Sequence, residues 1–113
     1  MDKPGFVDGR HLTTYVEEVR SLKRSGQMDE AGSLLCRLVE ATEAEACANR
    51  WGVAPWYYEQ LAIIYAKLHD AQAELSILER YERQQKAPGV GPSNLAARLS
   101  RLRSRLQKLR PGP

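Results

Sequence analysis

The chain has 113 residues, of which 42% are hydrophobic and 27% are charged, and its formal net charge is +3. This length suits one small domain, and the composition is ordinary for a globular protein. No stretch reaches the ~18 apolar residues of a membrane span and no signal-peptide core is visible, so we expect a cytoplasmic protein and exclude a transmembrane one.

The first predicted helix follows a flexible N-terminal segment at residues 1–9. Apolar residues then recur at steps of three and four, which is the spacing of one helix face, and predict a helix at about residues 10–25. Gly26 is expected to end this helix, because glycine readily takes the left-handed conformation found after helices. Asp29 is a suitable N-cap for the next helix.

The second helix is predicted to be long and to continue to about Asn49. Gly52 then breaks the helical pattern. Pro55 is expected at the first position of the third helix, because its missing N–H is not needed there. This third helix, at about residues 55–69, is apolar or aromatic around most of its circumference. We therefore expect it to be buried on more than one side, as the central element of the fold.

A fourth helix is predicted at about residues 71–86, followed by a Pro/Gly linker at residues 87–93. Ser93 is expected to cap a last helix at residues 94–110. One stripe of this helix is a heptad seam of leucines, namely Leu95, Leu99, Leu102, Leu106 and Leu109. Such a narrow stripe packs on one surface, either as a lid over the preceding helices or between two copies in a homodimer.

The predicted hairpins overlay on each other with a constant offset of 43 residues, as between Tyr15 and Tyr58. The residues of the first hairpin in this overlay are Tyr15, Leu22, Gly26, Met28, Ala31, Leu35 and Leu38. Their counterparts in the second hairpin are Tyr58, Tyr65, His69, Ala71, Glu74, Leu78 and Tyr81. The pattern resembles the tetratricopeptide repeat (TPR), and the second hairpin matches best, through Tyr58, Leu61, Ala62, Tyr65 and Leu78.

The TPR resemblance covers about residues 10–86 and implies an all-α fold. It implies a right-handed stack of two TPR-like antiparallel hairpins, capped by the fifth, amphipathic helix. The family period is about 34 residues, so the offset here requires a second helix that is longer by about two turns. Three residues depart from the family pattern, since Glu18, His69 and Glu74 occupy places where Leu, Gly and Ala are preferred.

No catalytic or metal-binding motif is present, so we expect neither an enzyme nor a cofactor or metal. Cys36 and Cys47 fall on one predicted helix at a separation of roughly 16 Å, which is too far for a disulfide, and are expected to be buried or half-buried. Glu43 and Glu45 are not a candidate pair of catalytic carboxylates, because residues two apart on a helix do not face each other.

Glu74 is acidic at a position where the second hairpin should pack. One interpretation is a carboxylate that contacts a ligand. The other is a buried carboxylate held by a tyrosine hydroxyl or an arginine, because buried polar groups require partners. Tyr58 and Arg105 are the candidate partners.

The leading functional prediction is a non-catalytic protein–protein interaction module. The resemblance implies that the first helix of each hairpin lines a concave face that grips an extended peptide. The candidate partner-binding residues on that face are Arg20, Arg24, Trp56, Gln60, Ile63 and Lys67. Its basic side chains favour an acidic peptide or a C-terminal carboxylate. The alternatives are that these charges form a solvated face, or that the fifth helix fills the groove.

The C-terminal 21 residues, 93–113, hold six basic groups and no acid. The candidate contacts to a nucleic acid or an acidic partner are Arg98, Arg101, Arg105 and Lys108, on one side of the leucine seam. Charges beside a seam suit ion pairs with a packed neighbour, and Glu74, Glu79 and Glu82 are available on the fourth helix. The segment has no aromatic residue that could stack on bases, so nucleic-acid binding is the second hypothesis and a homodimer the third.

Overall fold

The computed structural model describes residues 3–109, which form a short β-hairpin followed by five α-helices packed in chain order. The helices are α1 (Val16–Arg24), α2 (Met28–Asn49), α3 (Pro55–Lys67), α4 (Ala71–Glu82) and α5 (Gly91–Leu109). Each helix from α1 to α4 contacts the next one, and α5 contacts both α3 and α4. The central position expected for the third helix is therefore confirmed. Within residues 3–109, no helix is long and apolar enough to cross a membrane.

An antiparallel β-hairpin precedes the helices. Its elements are β1 (Phe6–Val7) and β2 (Arg10–His11), and a 3-10 turn (Leu12–Tyr15) leads into α1. Val7 is buried, and its carbonyl accepts a hydrogen bond from the Tyr15 hydroxyl at 2.7 Å. The sequence predicts no strand in residues 1–9, because a single buried valine leaves no periodic pattern.

The long second helix is confirmed, but the residue predicted to cap it is wrong. α2 follows Gln27, and Asp29 lies in its first turn, where a carboxylate still interacts favourably with the helix dipole. The helix ends at Asn49, and the following residue, Arg50, has a left-handed backbone with φ of 58°. α3 begins at Pro55 as predicted, and the Thr42 hydroxyl accepts a hydrogen bond at 3.0 Å from the amide just before it.

The segment between α4 and α5 differs from the predicted linker. A parallel bridge pairs Val53 with Lys86, and the Val53 amide donates to the Gln85 carbonyl at 2.8 Å, so α4 ends at residue 82. α5 begins at residue 91, where the Val90 carbonyl accepts the first helical hydrogen bond. Ser93 is therefore inside the first turn and not its cap. Pro92 is tolerated in the first turn of α5. Amides in the first turn of a helix have no partner within the helix, so the missing proline N–H is not needed there.

The turns that join α1 to α2 and α3 to α4 have equivalent backbones. Gly26 and His69, which are 43 residues apart, both have positive φ, at 77° and 57°. In each turn the next amide donates to the carbonyl five residues back, over 2.9 Å in both. At these two turns, therefore, equivalent positions of the sequence repeat have the same backbone conformation.

Candidate partner-binding face

Four basic side chains surround one recess between α1 and α3. They are Arg20, Lys23, Arg24 and Lys67, and the recess has a volume of about 320 Å³. We call it the cationic recess. Its lining comes from α1 and α3, and no described residue of α5 contributes to it. The fifth helix therefore does not fill this part of the face.

Lys23 is the least exposed of these four cations. It is half-buried, and its ammonium group donates a hydrogen bond to the Gln60 side-chain oxygen. Burial lowers the pKa of Lys23, and the nearby charges of Lys67 and Arg20 lower it further, against an opposing effect of Glu59. A bound anion would relieve this repulsion between like charges.

Glu17 of α1 forms ion pairs with two of the cations that line the recess. Its carboxylate lies 3.3 Å from the Arg20 guanidinium and 3.8 Å from that of Arg24, and all three side chains are exposed. Exposed pairs of this kind contribute at most about 1 kcal/mol. Glu17 can therefore give way to a carboxylate of a partner at small cost.

A second recess lies between the N-terminal ends of α3 and α5. Its lining is mainly apolar and includes Pro55, Trp56, Val90 and Leu95, around a volume of about 170 Å³. We call it the apolar recess. The Arg20 guanidinium carbon lies 6.0 Å from the centre of the Trp56 ring, so the two recesses are neighbours on one face.

The structure brings together three of the six predicted partner-binding residues. Arg20, Arg24 and Lys67 line the cationic recess, whereas Trp56 lines the apolar one. Gln60 joins the face through its hydrogen bond with Lys23. Ile63 is half-buried and lines neither recess.

Tyr57 ties the segment before α1 to α3, and thereby holds together the two helices that form the cationic recess. Its hydroxyl donates to the Leu12 carbonyl at 3.1 Å. Burial raises the pKa of Tyr57 to about 12, with a smaller contribution from Glu45. The neutral phenol is therefore favoured in the folded chain.

We expect Tyr57→Phe to reduce the loss of stability at alkaline pH. In the folded chain the pKa of Tyr57 is about 12, against about 10 when unfolded, so its stabilisation is intact below about pH 10 and is lost as the pH rises to 12. The unmodified chain should lose about 1.4 kcal/mol at pH 11 through this group. Urea unfolding at pH 8 and pH 11 measures the difference, and an equal decrease in both proteins would contradict it.

The basic side chains of α5 mostly face acids of α4. Arg98 and Arg105 lie 3.5 and 3.6 Å from the Glu74 carboxylate, which is only 2% exposed. The Arg103 guanidinium lies 3.1 Å from Glu79 and 3.3 Å from Glu82. The interpretation of Glu74 as a buried acid held by arginine is thus confirmed. Arg110 lies outside the described residues.

The other candidate partner of Glu74 has a different role. Tyr58 donates to the Glu43 carboxylate at 2.7 Å, and Arg80 donates two hydrogen bonds to the same carboxylate, at 2.8 and 2.6 Å. Burial and the neighbouring carboxylate raise the pKa of Tyr58. Glu43 therefore links α2, α3 and α4, and the sequence gives no sign of this because its partners lie on other helices.

The leucine seam is occupied along most of its length by contacts within the chain. Leu95, Leu99 and Leu102 are buried, Leu106 is partly buried and Leu109 is 76% exposed. The first part of α5 therefore covers α3 and α4 as a lid. A homodimer through this seam would have Leu106 and Leu109 to use without displacing the lid.

The two cysteines differ from what the sequence predicts. Cys36 and Cys47 are both exposed, so the expectation of buried or half-buried thiols is wrong, because both lie on the outer side of α2. Cys36 is 3.6 Å from the Tyr65 hydroxyl. Among residues 3–109, no group of three or more His, Cys, Asp or Glu side chains could hold a metal ion.

Comparison with known proteins identifies no family: no family model matches the chain, and neither a curated protein nor a solved structure matches it.

Proposed function

We propose that this protein is a non-catalytic interaction module that binds an acidic peptide segment of a partner protein on the face formed by α1 and α3. The observation that carries this proposal is the convergence of Arg20, Lys23, Arg24 and Lys67 on one uncovered recess. Guanidinium groups pair with carboxylates through two hydrogen bonds, and a lysine adds a point charge. Such a site selects for carboxylates and needs no chemical step.

The proposed architecture is a TPR-like stack of two hairpins, closed by α5 as a capping helix. It is supported by the equivalent turns at Gly26 and His69 and by the lid formed by Leu95, Leu99 and Leu102. In repeat proteins a terminal cap with a polar outer face covers the last hydrophobic surface. The lid leaves the α1 and α3 face available to a partner.

The alternative, a nucleic-acid contact through α5, has less support. Arg98, Arg103 and Arg105 lie next to acids of α4, which reduces the positive potential that this helix offers to phosphates. Arg101 and Lys108 are the exposed basic residues of α5 for which the described part of the chain shows no ion pair. They therefore provide the test of this alternative.

The double substitution Arg20→Glu and Lys67→Glu should weaken binding of a fluorescein-labelled hexaglutamate peptide by about 30-fold. Both side chains are exposed, so the fold should tolerate the change. Fluorescence anisotropy at low and high salt measures the affinity, which should also fall with salt because exposed charges are screened.

The matched control carries Arg101→Glu and Lys108→Glu, which change the charge by the same amount on α5. We expect hexaglutamate binding by this control to stay within about twofold of the unmodified chain, a difference typical of long-range charge alone. Equal losses in the two variants would contradict a site between α1 and α3. A labelled oligothymidylate, tested in parallel, should bind neither protein tightly at physiological salt.

A further inference from the structure

We infer that the peptide recognised by this face combines carboxylates with one apolar anchor residue, placed about five residues from them. This inference rests on the proposed function and adds the chemistry and spacing of the ligand. The anchor would occupy the apolar recess formed by Pro55, Trp56, Val90 and Leu95. The carboxylates would occupy the cationic recess.

The polarity of the side chains that line the face changes along α3. At its N-terminal end Trp56 and Glu59 line the apolar recess, and at its C-terminal end Lys67 lines the cationic recess. Gln60, between them, is neutral. Glu59 disfavours a ligand carboxylate beside the apolar anchor, because like charges repel at short range. The acids of the ligand are therefore directed to the opposite end of α3.

Part of the wall of the apolar recess is exposed to solvent. Val90 is 77% exposed, immediately before α5, although it is a β-branched apolar residue at a helix start where polar residues are preferred. Gly91 lies so close to Pro55 that a Cβ at this position would be 2.4 Å from the proline ring. This close approach places the start of α5 directly against the start of α3, so Val90 and Pro55 form opposite walls of one recess.

The spacing follows from the positions of Trp56 and Lys67 on α3. They are separated by about 16 Å along the helix axis, at the α-helical rise of 1.5 Å per residue, whereas Arg20 marks the near edge of the cationic recess, 6.0 Å from the Trp56 ring. An extended peptide advances about 3.4 Å per residue, so about five residues reach from the anchor to Lys67, at the far edge of the cationic recess. The site should therefore favour ligands whose carboxylates lie about this distance from their apolar side chain.

Three labelled peptides test the inference on the full chain. The first has three glutamates, a four-residue Gly/Ser spacer and one phenylalanine; the second has serine in place of phenylalanine; the third lacks the spacer. Each is made in both sequence orders. In the favoured order we expect the first peptide to bind about tenfold more tightly than either of the others, since burying one aromatic side chain contributes about this factor.

Two variants assign the gain to the apolar recess. Val90→Ser should remove the tenfold preference for phenylalanine, and serine at this helix start should keep α5 folded. Leu109→Ser is the matched control, because Leu109 is equally exposed and apolar at the other end of α5, and it should keep the preference. If all three peptides bind equally, the anchor inference is overturned while the acidic site stands. If no peptide binds, the proposed function fails as well.

Discussion

Replacing Gly52 with alanine should lower the free energy of unfolding by about 3 kcal/mol, among the largest effects expected for a single substitution in this chain. A Cβ at this position would lie 2.1 Å from the Ala87 amide nitrogen and 2.2 Å from the Lys86 carbonyl carbon. Both are backbone atoms, so a side-chain rotation cannot relieve the overlap. Moving them apart would break the bridge between Val53 and Lys86.

Gly32→Ala is the matched control and should have the opposite sign. Gly32 lies inside α2, and its Cβ would be 3.7 Å from the nearest side-chain atom, on Ile64, which is ordinary contact. Alanine in a helix interior stabilises relative to glycine by about 0.5–1 kcal/mol. Urea unfolding at neutral pH measures both variants. If the Gly52→Ala and Gly32→Ala variants were equally stable, residue 52 would not need to be glycine.

The double substitution Arg98→Ala and Arg105→Ala should destabilise the chain by about 3 kcal/mol and loosen α5. Glu74 is 2% exposed, and both guanidinium groups lie within 3.6 Å of its carboxylate. Removing them leaves a buried charge without its compensating cations, and the cost of burying an unpaired charge exceeds the value of the ion pairs. Hydrogen exchange of α5 amides should accelerate more than that of α2.

Two further variants separate this effect from a general loss of charge. Arg101→Ala removes an exposed arginine of the same helix and should change stability by less than about 0.5 kcal/mol. Adding Glu74→Met to the double variant should restore much of the lost stability, because an apolar side chain of similar volume suits the site once the arginines are absent. A triple variant less stable than the double one would show that the carboxylate is not the source of the cost.

The sequence predicts those parts of the fold that depend on periodic burial. The nearly continuous apolar surface of α3 predicts its central place, and the seam from Leu95 to Leu102 predicts that α5 packs on one surface, either as a lid or in a homodimer. Helix ends depend instead on single contacts. α4 ends early because Lys86 pairs with Val53, and α5 starts early because Pro92 fits its first turn, and neither contact leaves a pattern in the sequence.

The candidate face is predictable in part for the same reason. Arg20 and Arg24 are one helical turn apart, so their shared face follows from the helix alone. That Lys67 joins them, while Ile63 lines neither recess, depends on how α1 and α3 each pack against α2. The Glu43–Arg80 pair, at 2.6 Å, spans two helices that are distant in sequence and becomes visible in the structure alone.

The buried carboxylate of Glu74 has a consequence for how the stack terminates. An exposed hairpin surface invites another copy of the chain to add its own hairpin, and repetition of that step produces a polymer. At this surface, however, an incoming helix must supply cations two turns apart, as Arg98 and Arg105 do. α1, the first helix that another copy would place on this surface, has its cations within about one turn, at Arg20, Lys23 and Arg24. We therefore expect Glu74 to favour packing of the chain's own α5 and to disfavour end-to-end association of copies of the chain.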